Sequence, residues 1–319
     1  MKFLNIKWNH FLRFPFSNKD NLFKLLPSVR GRLSANEPLS KKNWFGVGGA
    51  AQIYFEPADI EDLALFLRNM PPVPLTILGA GSNVLIRDGG IPGITVHLGK
   101  QFSDIVVEEN KITCGAGAKL MEVSRMAEKN NLSGFEFLCG IPGSVGGAIR
   151  MNAGAYGSQI SNILTELTIV TPVGDVQTLT QEELQEAFIY RKCLFPSEWI
   201  FAKAVFQGQQ IADKSIISER MAQYRLKREN GQPIGVRTAG STFKNPDGMP
   251  AWQLIDKVGM RGVHRGGAVV SEKHSNFLIN KGHATAKDIE ELGEEIRAKV
   301  LEKEGIRLEW EVKKLGVDK

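Results

Sequence analysis

The chain has 319 residues, 33 of them glycine, with 24% charged and 42% hydrophobic side chains and a mean hydropathy of -0.16. That length suits about two domains with a sizeable buried core, and the balance excludes a disordered, collagenous or coiled-coil chain. Basic residues number 40 against 35 acidic ones, yet seven basic side chains and one acidic one fall in residues 1–33. The rest of the chain is near neutral, which is not the distribution of a nucleic-acid-binding fold.

No apolar run approaches the ~20 residues of a membrane span. Cys114, Cys139 and Cys193 form no C-x-x-C pair, and the five histidines form no H-E-x-x-H pattern. The expectation is a reducing, cytoplasmic compartment and no metal centre.

In chain order, residues 1–33 mix basic groups with Phe3, Trp8, Phe11 and Phe14. They read either as a basic amphipathic segment lying on a surface or as a loosely held tail. The body opens near Trp44. Gly48 and Gly49 then mark a close approach of backbone to something. A strand is expected over Ala51 to Phe55. A helix follows from Asp59 to Met70, with Asp59 as its N-cap, stopped by Pro71, Pro72 and Pro74.

Leu75 to Leu78 and Val84 to Ile86 read as strands around a glycine loop, Gly79, Ala80, Gly81, Ser82 and Asn83. A dinucleotide fingerprint would open a helix here. A strand follows instead, so the loop suits a nucleotide phosphate but not a Rossmann site. Residues 119–130 form an amphipathic helix with Leu120, Val123 and Ala127 on one face.

The segment Gly140, Ile141, Pro142, Gly143, Ser144, Val145, Gly146, Gly147 and Ala148 carries the strongest signal. Its four glycines leave peptide N–H groups uncovered, and such a loop can wrap a pyrophosphate. A second small-residue stretch, Met151 to Gly157 with Asn152, Ala153 and Gly154, follows at once.

Leu167 to Val170 and Val176 to Leu179 flank a hairpin turn, and Thr180 with Glu183 makes a capping box. Tyr190 and Arg191 sit between apolar stretches, where the guanidinium clamps a carboxylate or is an ordinary surface charge. Residues 213–229 read as a polar helix. In Ala239 to Pro246, Ser241 can donate a proton while Lys244 or Asn245 holds a polar or anionic substrate, or the segment is only an ST-turn closing a loop. Thr285 with Asp288 caps a last helix carrying Ile289, Leu292, Ile296 and Val300, and Gly305 ends it. Arg307 to Lys314 alternates as a final strand, with Glu311 on its polar face. The whole is α+β.

The ordered set G-A-G-S-N (79–83), G-I-P-G-S-V-G-G-A (140–148), M-N-A-G-A-Y-G (151–157), Y-R-K-C-L-F (190–195), A-G-S-T-F-K-N-P (239–246), S-E-K-H-S-N-F-L-I-N (271–280) and L-E-W-E-V (308–312) resembles the UDP-N-acetylenolpyruvoylglucosamine reductase family. The resemblance covers roughly residues 30 to 316. The absence of an insertion after Arg191 resembles its shorter type.

The resemblance implies an FAD-binding fold of the vanillyl-alcohol oxidase/PCMH type. It divides the chain into a basic extension (1–33), FAD-binding subdomains (34–100 and 101–206), a substrate-binding domain (207–306) and a C-terminal strand (307–319) carrying Glu311. It places FAD on Gly48, Gly49, residues 79–83, the 140–148 loop, Asn152, Ala153 and Gly154. It further implies NADPH as hydride donor and UDP-N-acetylglucosamine enolpyruvate as acceptor, giving UDP-N-acetylmuramate for peptidoglycan.

In that scheme Arg191 binds the carboxylate and opposes developing charge. Ser241 delivers the proton, and Glu311 is the third catalytic group. Tyr190, Lys244 and Asn245 position substrate. Three departures stand out: Cys193, where the family often has serine; 43–49, which lacks the expected threonine and basic residue; and the N-terminal extension, which matches nothing in the pattern. The rivals are another FAD-dependent oxidoreductase on this scaffold and a non-catalytic flavin sensor. The 239–246 segment and Glu311 separate the first reading from both.

Overall fold

The computed structural model describes residues 19–319, with side chains from Leu22 onward. Residues 1–18 of the basic extension lie outside the described residues. A short helix, α1 (Lys19–Lys24), already buries Leu22 in the body. The backbone N–H groups of Arg30 and Gly31 donate to the buried Asp62 carboxylate at 2.8 and 2.9 Å. The sheet therefore begins earlier than the opening read at Trp44.

The first module contains β1 (Arg32–Pro38), β2 (Ala50–Glu56), α2 (Ile60–Asn69), β3 (Leu75–Leu78), β4 (Val84–Ile86) and β5 (Ile91–His97). Its sheet runs β1-β2-β5-β3, antiparallel at the first pair and parallel thereafter. Parallel strands need both faces covered. Accordingly Ile53, Phe55, Ile94 and Val96 pack on Leu63, Phe66 and Leu67 of α2, while Ala51, Tyr54 and Ile91 pack on the other side. Asp59 caps α2 by accepting from Asp62 N at 2.8 Å, as its position predicts.

The second module is a five-stranded antiparallel sheet containing Val176–Leu179, Leu164–Val170, Ile200–Gln207, β7 (Lys111–Gly115) and β6 (Ile105–Glu108), in that order. Against it lie α3 (Leu120–Lys129) and α4 (Val145–Arg150). The core gathers Ile112, Leu120, Val123, Val145, Ile149, Leu167, Ile169 and Phe206. The glycine stretch read as open loop is thus partly helical: Gly146 and Gly147 lie inside α4.

The helix Lys214–Gly231 leads to the third module, a small sheet of His264–Arg265, Ala268–Val270 and Leu278–Asn280 covered by the helix Ala286–Glu304. Ile289, Leu292, Ile296 and Val300 fill its core. Phe45, Val47 and Leu85 enter that core from the first module.

The two are also clamped. β4 pairs in parallel with Lys313–Leu315. Arg87 makes a two-point bond to Glu290 at 2.8 and 2.7 Å. The Asp88 carboxylate accepts from Ala286 N and Lys287 N at 3.0 Å each, beside the Thr285–Asp288 capping box. Among the described residues no helix is long and apolar enough to cross a membrane.

One expectation is corrected. Arg307 to Lys314 is not a continuous strand; only Lys313–Leu315 is. Leu308 and Val312 are buried as the alternation predicts. Their partner, however, is a loop: Lys244 N donates to Glu309 O, Glu311 N donates to Thr242 O, and Phe243 and Trp310 form an isolated bridge. A ladder that short does not sustain a strand.

Candidate active site

A cleft of about 2270 Å³ opens where the three modules meet. One wall is built by the turn after β3. Gly81 sits at φ +65, and a Cβ there would lie 2.1 Å from the Lys42 carbonyl oxygen, so the turn admits only glycine. The facing wall is the loop into α4, where Gly143 sits at φ +126. The loops touch: Ser144 Oγ accepts from Ala80 N at 3.4 Å, and Ser82 Oγ donates to the Pro142 carbonyl at 3.3 Å.

The N–H groups of Gly81, Ser82, Asn83, Gly143 and Ser144 have no protein acceptor among the described residues. Two glycine turns presenting free amides to one space form a cradle for an anion such as a diphosphate. Gly79, Ala80, Gly140, Ile141, Pro142, Gly146, Gly147, Ala148, Ala153 and Gly154 also line the cleft.

Not every residue assigned to the cofactor reaches this space. Gly48 and Gly49 pack against backbone instead: a Cβ would lie 2.3 Å from Ile86 O and 2.5 Å from Asp88 O, respectively. Asn152 is buried behind the wall. Its Nδ2 donates to Ile189 O at 3.2 Å and its Oδ1 accepts from Ser161 N at 3.1 Å, tying the wall to the hairpin that bears Arg191.

That hairpin pairs Phe188–Ile189 with Lys192–Cys193 and turns through Tyr190 and Arg191. Arg191 adopts φ 54, uncommon for a side-chain-bearing residue. Its Nη2 donates to Gly154 O at 2.9 Å, and its Nε lies 3.2 Å from Glu311 Oε1. Glu311 is fixed on its backbone too: its N–H donates to Thr242 O at 2.8 Å, and its carbonyl accepts from Asn83 Nδ2 at 3.2 Å.

Burial pushes the Glu311 carboxyl above the usual carboxylate range, while Arg191 and then Lys244 pull it back. Ser241 precedes Thr242 on the same wall and bridges to Phe277. Arg191, Ser241 and Glu311, more than a hundred residues apart at their extremes, therefore line one cleft.

The other expected substrate residues are placed less directly. Tyr190 is exposed, with the Arg191 guanidinium 5.2 Å from its ring centroid, and it borders a smaller hollow with Tyr156, Gln159 and Asn162. Lys244 pairs with Glu309 at 2.9 Å. Asn245 Oδ1 accepts from Ala251 N at 3.0 Å, closing a turn before the helix Ala251–Lys257. Neither Lys244 nor Asn245 lines the cleft. Cys193 lies on the cleft wall, and burial pushes its thiol up.

Sequence reading missed several cleft residues. Among the described residues, Arg228 Nε and Thr238 Oγ1 are buried there without a hydrogen-bond partner. Lys313 also lines the cleft, its pKa lowered first by desolvation and then by Lys244. Arg150 is a further cation on the wall. None belongs to a distinctive pattern; Arg228 is one of many charges on a polar helix. The buried orphan atoms and the amide cradle fit a polar, anionic, extended cofactor.

Residues 51–180 match the family described as FAD binding domain, and residues 232–315 match UDP-N-acetylenolpyruvoylglucosamine reductase, C-terminal domain. The UDP-N-acetylenolpyruvoylglucosamine reductase of Parvibaculum lavamentivorans is 48% identical over 299 residues, covering 93% of this chain and 96% of that protein. That of Paramagnetospirillum magneticum is 48% identical over 294 residues, covering 92% and 95%. The crystal structure of the Thermus caldophilus UDP-N-acetylenolpyruvylglucosamine reductase superposes with a TM-score of 0.77 at 33% identity, covering 90% of this chain and all of that one. With an FAD-binding fold of the expected type joined to that C-terminal domain, the chain belongs to the UDP-N-acetylenolpyruvoylglucosamine reductase family.

Proposed function

We propose that this chain is an FAD-dependent reductase that converts UDP-N-acetylglucosamine enolpyruvate to UDP-N-acetylmuramate, with NADPH as donor, in cytoplasmic peptidoglycan precursor synthesis. Three buried, unpaired cysteines accord with that compartment. The flavin-binding part comprises the subdomains 34–100 and 101–206, and the substrate is held against 207–306 and Glu311. The observation that carries the reading is the Arg191–Glu311 pair, closed at 3.2 Å on the cleft wall that also bears Ser241.

The amides of 79–83 and 143–144 would hold the flavin, which supplies a two-electron carrier to the cleft. The protein's own residues do the rest. Arg191, steadied by Gly154 O, binds the enolpyruvyl carboxylate and opposes the negative charge that builds on the adjacent carbon. Ser241 gives its hydroxyl proton to that carbon. Glu311, its carboxyl raised by burial, shares the Arg191 guanidinium and assists the proton transfer. Tyr190 lies beside Arg191 on the neighbouring hollow, while Lys244 and Lys313 add positive potential for an anionic substrate.

The test separates the half-reactions under anaerobic conditions. In Ser241→Ala, flavin reduction by NADPH should stay within about threefold of wild type, while reoxidation by the enolpyruvyl sugar nucleotide slows about 10²- to 10⁴-fold. Unchanged reoxidation would remove Ser241 from the chemistry. Wild-type flavin that the sugar nucleotide fails to reoxidise would sink the substrate assignment.

A further inference from the structure

Arg150 ends α4 on the cleft wall. Its Nη1 donates to the carbonyls of Phe195 (3.1 Å) and Pro196 (2.9 Å), its Nη2 donates to the carbonyl of Trp199 (2.6 Å), and the guanidinium lies 4.0 Å from the Phe201 ring centroid. Arg87, Arg191, Arg220, Arg265 and Arg297 each have a carboxylate within ion-pair distance. Arg150 has none among the described residues.

Burial pushes its pKa down, with Cys193 and Glu198 near enough to pull it back only in part, and a guanidinium stays charged regardless. Three of its five N–H groups are used by carbonyls. The others meet no acceptor among the described residues. Carbonyl dipoles and a ring face orient a cation but do not neutralise it. A desolvated guanidinium with spare donors in a ligand cleft is completed by an anion that the ligand brings.

We propose that Arg150 binds the diphosphate of the flavin dinucleotide and makes this chain select FAD over phosphate-free flavins. The diphosphate is the cofactor's permanent negative charge, and the cradle residues Gly143 and Ser144 lead directly into the helix that ends at Arg150. The inference rests on the flavin reading of the cleft.

The alternative role is a staple: only arginine bridges the three carbonyls of the 195–199 turn. The two roles predict different variants. Flavin is removed from the full-length protein, and affinities for FAD and for riboflavin are measured by fluorescence titration in wild type, Arg150→Lys and Arg150→Met. For a diphosphate contact, the methionine variant weakens FAD about 30-fold, the size of one charged hydrogen bond, whereas the lysine variant loses less than about fivefold. Riboflavin binding is the same in all three proteins.

Equal losses in the lysine and methionine variants would mark a staple and overturn the proposal. So would equal losses for FAD and riboflavin, or an FAD affinity indifferent to either substitution. Wild-type protein that takes up no FAD would overturn the flavin reading itself, a result seen before any variant is compared.

Discussion

At Arg191 a left-handed turn and a cleft-lining charge coincide. Its φ of 54 costs on the order of 1 kcal/mol for a residue with a Cβ, and bonds to Gly154 O and Glu311 hold it there. Arg191→Lys keeps the charge but loses the planar two-sided grip. Its kcat/KM for the enolpyruvyl substrate should fall about 100-fold, much of it in kcat, since in the proposed mechanism the lost bonds oppose charge formed during reaction. Steady-state kinetics with substrate varied would show this, and a change confined to KM would contradict it. The Glu311 carboxylate shows the limit of sequence at this scale. Alternation separates it from Leu308 and Val312, and that separation is real. The pattern says only that Glu311 faces away from the core. It does not say whether that side meets bulk water or a cleft, because the groups that meet it, Arg191 at the carboxylate and Asn83 at the main-chain carbonyl, come from remote parts of the chain.

Elements with local stop signals were legible at their ends. Asp59, the Thr285–Asp288 box and Gly305 at φ 68 act through contacts a few residues apart, so their positions in sequence carry the information. The helix α4 was hidden because two glycines in six residues argue against a helix. Tertiary contact overrides that preference: Gly146 N donates to Ala116 O, and a Cβ on Gly146 would lie 2.9 Å from that of Ala116. The remote cap of the helix Ala286–Glu304 was equally invisible, since Asp88 lies almost two hundred residues before it. Asp88→Ala should lower stability by about 1 kcal/mol, the cost of an empty cap. The midpoint of thermal unfolding should drop by roughly 2–4 °C, with the visible flavin spectrum unchanged. A spectral change would mean that Asp88 shapes the cleft as well.

Across the whole molecule the first and third modules share a core and a clamp. The Arg87 hydrogen bond, with help from Lys314, holds the Glu290 carboxyl below the usual range. A carboxyl with a lowered folded pKa adds stability above its unfolded value of about 4.3 and loses it as pH falls through the folded value. Glu290→Gln should therefore unfold at lower urea than wild type at neutral pH, and the gap between the two midpoints should shrink as pH falls below the unfolded value and through the lowered folded one. A gap that persists in acid would assign the loss to packing. The pairing of β4 with Lys313–Leu315 joins segments more than two hundred residues apart. Such a contact closes only after the intervening modules have collapsed, because loop entropy must be met before the pairing rewards it. Asn83 hangs from the same junction, bonded to Glu311 and Lys313. By that argument the glycine turn after β3 and the neighbouring Glu311 mature together and late, and a chain in which this pairing is still open lacks both the closed turn and the buried carboxylate.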